Sequence, residues 1–147
     1  MKISLACDHG GLELKQTVKE HLTALGHEVH DFGTFTKDSC DYPDFVRPAA
    51  EAVASGECER GIVICTTGIG VSIVANKVRG IRCALLTDTV AAAATRSHND
   101  TNMMALGQNI VAPYMALQIV DIWLSTPFSG GERHCRRIEK IAAMERQ

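Results

Sequence analysis

The sequence lacks the usual marks of a metal protein, a membrane protein and a nucleic-acid binder. Its six cysteines, Cys7, Cys40, Cys58, Cys65, Cys83 and Cys135, include no C-x-x-C pair and no close His/Cys cluster, so the ligand spacing of a zinc site is missing. No metal is expected. No stretch approaches the roughly 18–20 apolar residues of a membrane span. The opening MKISLACDHGG has neither the long apolar core nor the cleavage signal of a secretory leader. A cytoplasmic chain with reduced thiols and no membrane contact is the expectation. A formal net charge of -2 leaves no basic excess, so a nucleic-acid partner is not expected either. Internal repeats and low-complexity linkers are absent too. What remains is 147 residues, 46% hydrophobic and 22% charged, which reads as one domain over residues 1–147. A chain of this size buries about 68–70% of its unfolded surface and needs no disulfide staples. Its partner is expected to be a small molecule.

Short apolar runs alternate with longer segments of helical period, the pattern of βα units on a parallel sheet. ISLAC, EVHDF, GIVIC, IRCALL and NMMALG predict about five strands. Between the first two, Leu14, Val18, Leu22 and Leu25 share one helical face and Gly26 offers a C-terminal cap. Further helices are predicted in YPDFVRPAAEAVASG, after Gly70, in TVAAAATRSHN and in APYMALQIVDIWLSTPF, and RHCRRIEKIAAMERQ closes the chain. The fold class is thus α/β, a Rossmann-like (flavodoxin-like) three-layer sandwich with an added C-terminal helix. Ligands of open parallel sheets bind beyond the C-terminal strand ends. That rule selects CDHGG after the first strand, CTTGIG after the third, and the loop after the fourth. The polar stretch from Gly33 to Tyr42 suits an active-site loop.

CTTGIG leads into a helix whose first amides have no intrahelical partner, so donors and the positive dipole end face whatever sits there. Gly68 and Gly70 allow close approach or positive φ, a nest for phosphate or a developing oxyanion. Known glycine-rich motifs do not fit. A dinucleotide fingerprint needs glycine at Ile73, a Walker loop needs Gly-Lys-Ser/Thr, a thiol phosphatase needs arginine at Val71, and a receiver domain needs aspartate at Cys65. Cys65 reads either as a small buried hydrophobe, the commoner fate of a free cysteine, or as a thiolate base favoured by the helix N-terminus. Asp8 and His9 read as a cap or as ligand contacts. His98 and Asn99 read as a helix end. Arg133, His134, Arg136 and Arg137 gather where cations oppose the helix dipole, which suits an anionic ligand or a solvated face.

CDHGG, DYPDF, CTTGIG…ANKVRGIR, SHNDTN and GGERHCRRIEKI, in this order from Lys2 to about Met144, resemble the type B ribose-5-phosphate isomerases, in the family that also holds galactose-6-phosphate isomerase. The resemblance implies a cofactor-independent aldose–ketose isomerase working through an enediolate. It implies a dimer, alone or paired into a tetramer, in which His98 and Asn99 reach the opposite subunit's site. Under it Cys65 is the base between C1 and C2, and Thr67 with the turn Thr66, Gly68, Ile69 and Gly70 holds the enediolate. Asp8 serves the substrate hydroxyls and proton shuttling, His98 assists ring opening, and Asn99 binds sugar oxygens. His9, Arg133 and Arg137 contact phosphate, and Tyr42 lies at the site's edge. Three residues depart from the family pattern. Thr66 replaces a glycine and adds a side chain, and with it strain, beside the oxyanion turn. Asn109 stands where the family carries a phosphate-binding arginine, exchanging a bidentate charge for a neutral amide. Glu132 is an extra residue before Arg133 and shifts it. Ribose 5-phosphate is therefore the reference substrate, a tetrose or hexose phosphate the alternative, and a noncatalytic sugar-phosphate sensor the reading from another class.

Overall fold

The computed structural model describes all of residues 1–147. Five strands, β1 (Lys2–Cys7), β2 (Glu28–Asp31), β3 (Arg60–Cys65), β4 (Cys83–Leu85) and β5 (Met103–Gly107), form one sheet in the order β2-β1-β3-β5-β4. Every pairing is parallel. The crossovers are α1 (Leu12–Ala24), α2 (Tyr42–Ala54), α3 (Ile69–Asn76) and α4 (Thr89–Asn99); α5 (Pro113–Ser125) and α6 (Glu132–Met144) follow β5. No helix is long and apolar enough to cross a membrane.

β1, β3 and β5 are nearly continuous apolar runs because helices cover both of their faces. Alternate residues sort into two cores. Leu5, Ile62, Ile64 and Leu106 pack with Leu14, Val18, Ile119 and Trp123 beneath α1, α4 and α5. Ala6, Val63, Cys65 and Ala105 pack with Val46, Ala49, Val71 and Ala75 beneath α2 and α3. The Cys65 side chain therefore points toward the α2–α3 layer. α6 buries no residue and lies outside the sandwich.

The structure adds what the sequence pattern leaves open. α4 returns the chain inward, so β5 lies between β3 and β4, and the loop after β5 joins the strand ends near Cys65, while Leu85 at the end of β4 still reaches Gly68. Of IRCALL only three residues pair, and they form the sheet's edge. There the Asn76 amide meets both the N–H and the C=O of Cys83, each at 2.9 Å, and closes that edge against further pairing.

A buried ion pair fixes the loop above β1. Lys15, on α1, has a side chain 1% exposed and lies 2.7 Å from Asp31 at the end of β2. Its ammonium also donates to the Thr34 carbonyl and sits 4.5 Å from the Phe35 ring centre. Asp31 further accepts from Lys19 at 3.1 Å and from the Gly33 N–H at 2.9 Å. Burial alone would raise the Asp31 carboxyl, but these donors hold it below its ordinary 3.8. Its stabilising contribution is therefore present above pH 3.8 and lost as pH falls through the lower folded value.

Asp31→Asn leaves the Lys15 ammonium buried without its carboxylate. It is expected to cost about 3–5 kcal/mol in urea unfolding and to flatten the acid limb of the stability profile. An unchanged unfolding midpoint and acid limb would show that the pair contributes nothing.

Candidate active site

The β3 turn is built around one donor. Gly68 caps α3 in the left-handed region, φ 80°, and its N–H donates to Cys65 Sγ at 3.1 Å. A Cβ on Gly68 would stand 2.5 Å from Leu85 Cδ1 and 2.9 Å from the Leu106 carbonyl carbon. Only glycine fits. Thr67 Oγ1 accepts from the Ile69 N–H at 3.3 Å, which leaves the hydroxyl proton free to donate outward. The amides of Gly70 and Val71 follow as unpaired donors of the helix start. Cys65 is 6% exposed, whereas Thr66, Thr67 and Ile69 open to solvent. Negative charge on the sulfur or on a bound oxygen would face these donors and the helix dipole. Burial pushes the Cys7 and Cys83 thiols up to about 12, so neither serves as a base near neutral pH.

The β1 turn lies against it. Asp8 is largely buried and caps the short 3₁₀ turn His9–Gly11, its Oδ1 accepting from the Gly10 N–H at 2.9 Å. The cap uses one carboxylate oxygen and leaves the other for solvent or a ligand. His9 is exposed, and its Nδ1 accepts from the Cys40 N–H at 3.2 Å. The loop expected from Gly33 to Tyr42 thus closes onto His9. Tyr42 opens α2 with its ring against Gly70, where a Cβ would meet Tyr42 Cζ at 2.7 Å. The Thr66 hydroxyl packs against Gly10, which has no side chain to meet it. Thr66 does not adopt positive φ, so the expected strain is not found. Its side chain occupies space that Gly10 leaves open.

A second group lies elsewhere. His98 and Asn99 end α4, and α4 runs antiparallel to the strands, so they sit where β5 begins. Five-residue β5 starts opposite Gly61 and ends opposite Cys65. At about 3.3 Å per residue the two sheet edges are on the order of 13 Å apart. The Asn99 carbonyl is held by Arg82 Nε at 2.9 Å. His98 stacks on His134 of α6, ring centres 4.6 Å apart and 9° from parallel. Arg133 and His134 line a polar cavity of about 590 Å³ with Ser129, Gly131, Glu132 and Arg136. Glu132 occupies the first turn of α6, where its charge suits the dipole. Arg137 is exposed one turn further on.

Asp8, His9, Tyr42, Thr66, Thr67, Gly68, Ile69 and Gly70 are therefore gathered around Cys65, while His98, Asn99, Arg133 and Arg137 are not. α6 does not reach His9 of its own chain, and none of the chain's five cavities is lined by Cys65. The contacts of Cys40 with His9 and of His134 with His98 are not visible in the sequence. Cys40 acts on His9 through its backbone amide, which carries no side-chain signature. His134 stands in the basic cluster, and only the fold shows that it stacks on His98. Desolvation, then the neighbouring His98, Arg133 and Arg137, hold its imidazole below its ordinary 6.5.

Residues 3–141 match the family model described as Ribose/Galactose Isomerase. Ribose-5-phosphate isomerase B of Escherichia coli is 44% identical over 146 residues, 99% of this chain and 97% of that protein. D-erythrulose-4-phosphate isomerase of Pectobacterium atrosepticum is 37% identical over 148 residues, 100% of this chain and 97% of its own. Among solved structures, ribose-5-phosphate isomerase B of Clostridium thermocellum superposes with a TM-score of 0.97 at 53% identity, covering 99% of this chain and 98% of that one. The Mycoplasma genitalium enzyme, determined with bound ribulose-5-phosphate, gives 0.95 at 40% identity, with 99% and 97% covered.

Gly68→Ala is expected to destabilise the chain more than Gly26→Ala. Both residues hold positive φ, but nothing stands within 4 Å of a Cβ at Gly26. The backbone cost of about 1–2 kcal/mol is common to both, and only Gly68 adds the clash with Leu85 and Leu106. Equal shifts in unfolding midpoint would contradict this account of the turn.

Proposed function

The chain belongs to the ribose/galactose isomerase family, and we propose that it interconverts ribose 5-phosphate and ribulose 5-phosphate with Cys65 as the base. It is an aldose–ketose sugar-phosphate isomerase; the substrate pair and the residue roles are our reading. The observation that carries it is the Gly68 N–H on Cys65 Sγ at the N-terminus of α3.

From the aldose, the Cys65 thiolate takes the proton on C2. The electron pair of that C–H bond forms a C1–C2 double bond and the carbonyl electrons move to O1, giving an enediolate. The thiol returns its proton to C1, while Asp8, through its uncapped oxygen, carries the O2 proton to O1. The Thr67 hydroxyl and the helix-start amides stabilise the oxyanion. A placed base typically contributes 10²–10⁴-fold and one oxyanion donor about 10²–10³-fold, so the turn needs both.

His98, Asn99, Arg133 and Arg137 complete the site from a second copy of the chain. There His98 assists ring opening and the arginines join His9 on the phosphate. Ile69, Ile73 and Leu85, 52%, 55% and 40% exposed, rim the turn with apolar surface of the kind an association buries. With no buried residue, α6 is free to face a partner. A four-carbon or six-carbon sugar phosphate is the second reading. Asn109, whose N–H donates to the Thr66 carbonyl at 3.0 Å, puts a neutral amide beside the turn where an arginine would fix a phosphate at a set distance.

The test is a panel of tetrose, pentose and hexose phosphates assayed with wild type and Cys65→Ala. The highest kcat/KM is expected for ribose 5-phosphate, and a loss of at least about 10²-fold in kcat for Cys65→Ala. A preferred tetrose or hexose would overturn the substrate, and unimpaired turnover by Cys65→Ala would overturn the base.

A further inference from the structure

Resting on the reading that the Cys65 turn carries the chemistry, we infer that Gln108 is a positioning residue that locks the β1 and β3 turns into one working geometry. Two hydrogen bonds leave this one residue in different directions. Its backbone N–H donates to the Cys65 carbonyl at 2.9 Å, and the Asn109 N–H to the Thr66 carbonyl continues that ladder past the strand ends. Its side-chain Oε1 accepts from the Leu14 N–H at 3.0 Å across 94 positions of sequence.

Leu14 stands in the first turn of α1, whose N-cap Gly11 supplies no side-chain acceptor. A helix start without a local cap leaves orphan donors, and Gln108 satisfies one from the loop after β5. α1 follows directly on Asp8 and His9, so the crossbar runs from the base to the segment that carries the proton shuttle and a phosphate contact. Besides it the two turns meet through the Asp8 N–H on the Ile64 carbonyl, at a long 3.3 Å, the packing of Thr66 on Gly10 and the close approach of Gly11 to the Ile64 carbonyl, and of these only the first is a hydrogen bond. Gln108 touches no reacting atom. It acts by fixing how far Asp8 stands from Cys65: one bound substrate must meet Cys65 at carbon and Asp8 at oxygen together, and a misplacement of about 1 Å costs about 10²-fold.

Gln108→Met keeps the length and volume and removes the acceptor. It is expected to lower kcat by about 10- to 100-fold while KM changes by less than about 3-fold. Gln108→Glu retains an acceptor oxygen, now with a charge favoured at a helix N-terminus, and the adjacent Glu13 is already paired with Lys37 at 3.1 Å. It should restore kcat to within about 3-fold of wild type. A merely structural role would lower the unfolding midpoint without separating kcat from KM. Wild-type kcat in Gln108→Met, or equal impairment of Gln108→Met and Gln108→Glu, would overturn the crossbar. Cys65→Ala in the same assay keeps the two readings apart. An active Cys65→Ala overturns the base assignment, whereas an inactive one beside an unimpaired Gln108→Met overturns the crossbar alone.

Discussion

A parallel sheet joined by helices has two unlike edges, and that asymmetry governs this molecule. Strand C-termini and helix N-termini meet at one edge, where orphan amides and dipoles favour negative charge. Helix C-termini and strand N-termini meet at the other. β1 and β3 are neighbours whose chains leave in opposite directions along the sheet order, so a crevice opens between their turns. Asp8, His9 and Cys65 lie there because Cys65 is the last residue of β3 and Asp8 and His9 directly follow β1. His98 and Asn99 end a helix and are carried to the far edge by the same geometry. The proposed site uses both groups and therefore draws them from two copies.

The chemistry read into the near edge depends on the same constraint. A sulfur at a strand end, with a glycine amide donating to it and a helix opening behind it, needs no charged neighbour to face fixed positive potential. Thr66 shows how the turn tolerates a departure from the family pattern. Its hydroxyl fills the space over Gly10, and the backbone keeps an ordinary conformation. Asn109 joins the same turn through its backbone, so its side chain is not needed to hold the turn; under the proposed function it is left to bear on which phosphate is accepted.

Much of this was legible in the residues. The apolar runs ending at Cys7, Cys65 and Gly107, the helical face of Leu14, Val18 and Leu22, and the glycine turn after Cys65 all follow from period, burial and turn chemistry. Strand order was not legible, because nothing in IRCALL or NMMALG encodes which of them pairs with GIVIC; that is decided by packing both faces of the longer apolar strand. The buried Lys15 reads in sequence as one more polar residue of an amphipathic helix. Its partner Asp31 arrives only when β2 is laid beside β1. The Gln108 cap, 94 positions from its donor, leaves no local signal at all. Long-range polar contacts of this kind decide the fine geometry of the site, while local pattern decides its existence.

The division of the site between two edges is tested most directly by subunit mixing. Cys65→Ala and His98→Ala proteins, each inactive alone, are unfolded together, refolded as a mixture and assayed for sugar-phosphate isomerisation, with hybrid formation verified by native mass spectrometry. A hybrid dimer in which each site draws Cys65 from one copy and His98 from the other contains one site with both wild-type groups. Activity should therefore reappear in proportion to the hybrid fraction. Verified hybrids that remain inactive would show that Cys65 and His98 work within one chain, and would contradict the assembly described above.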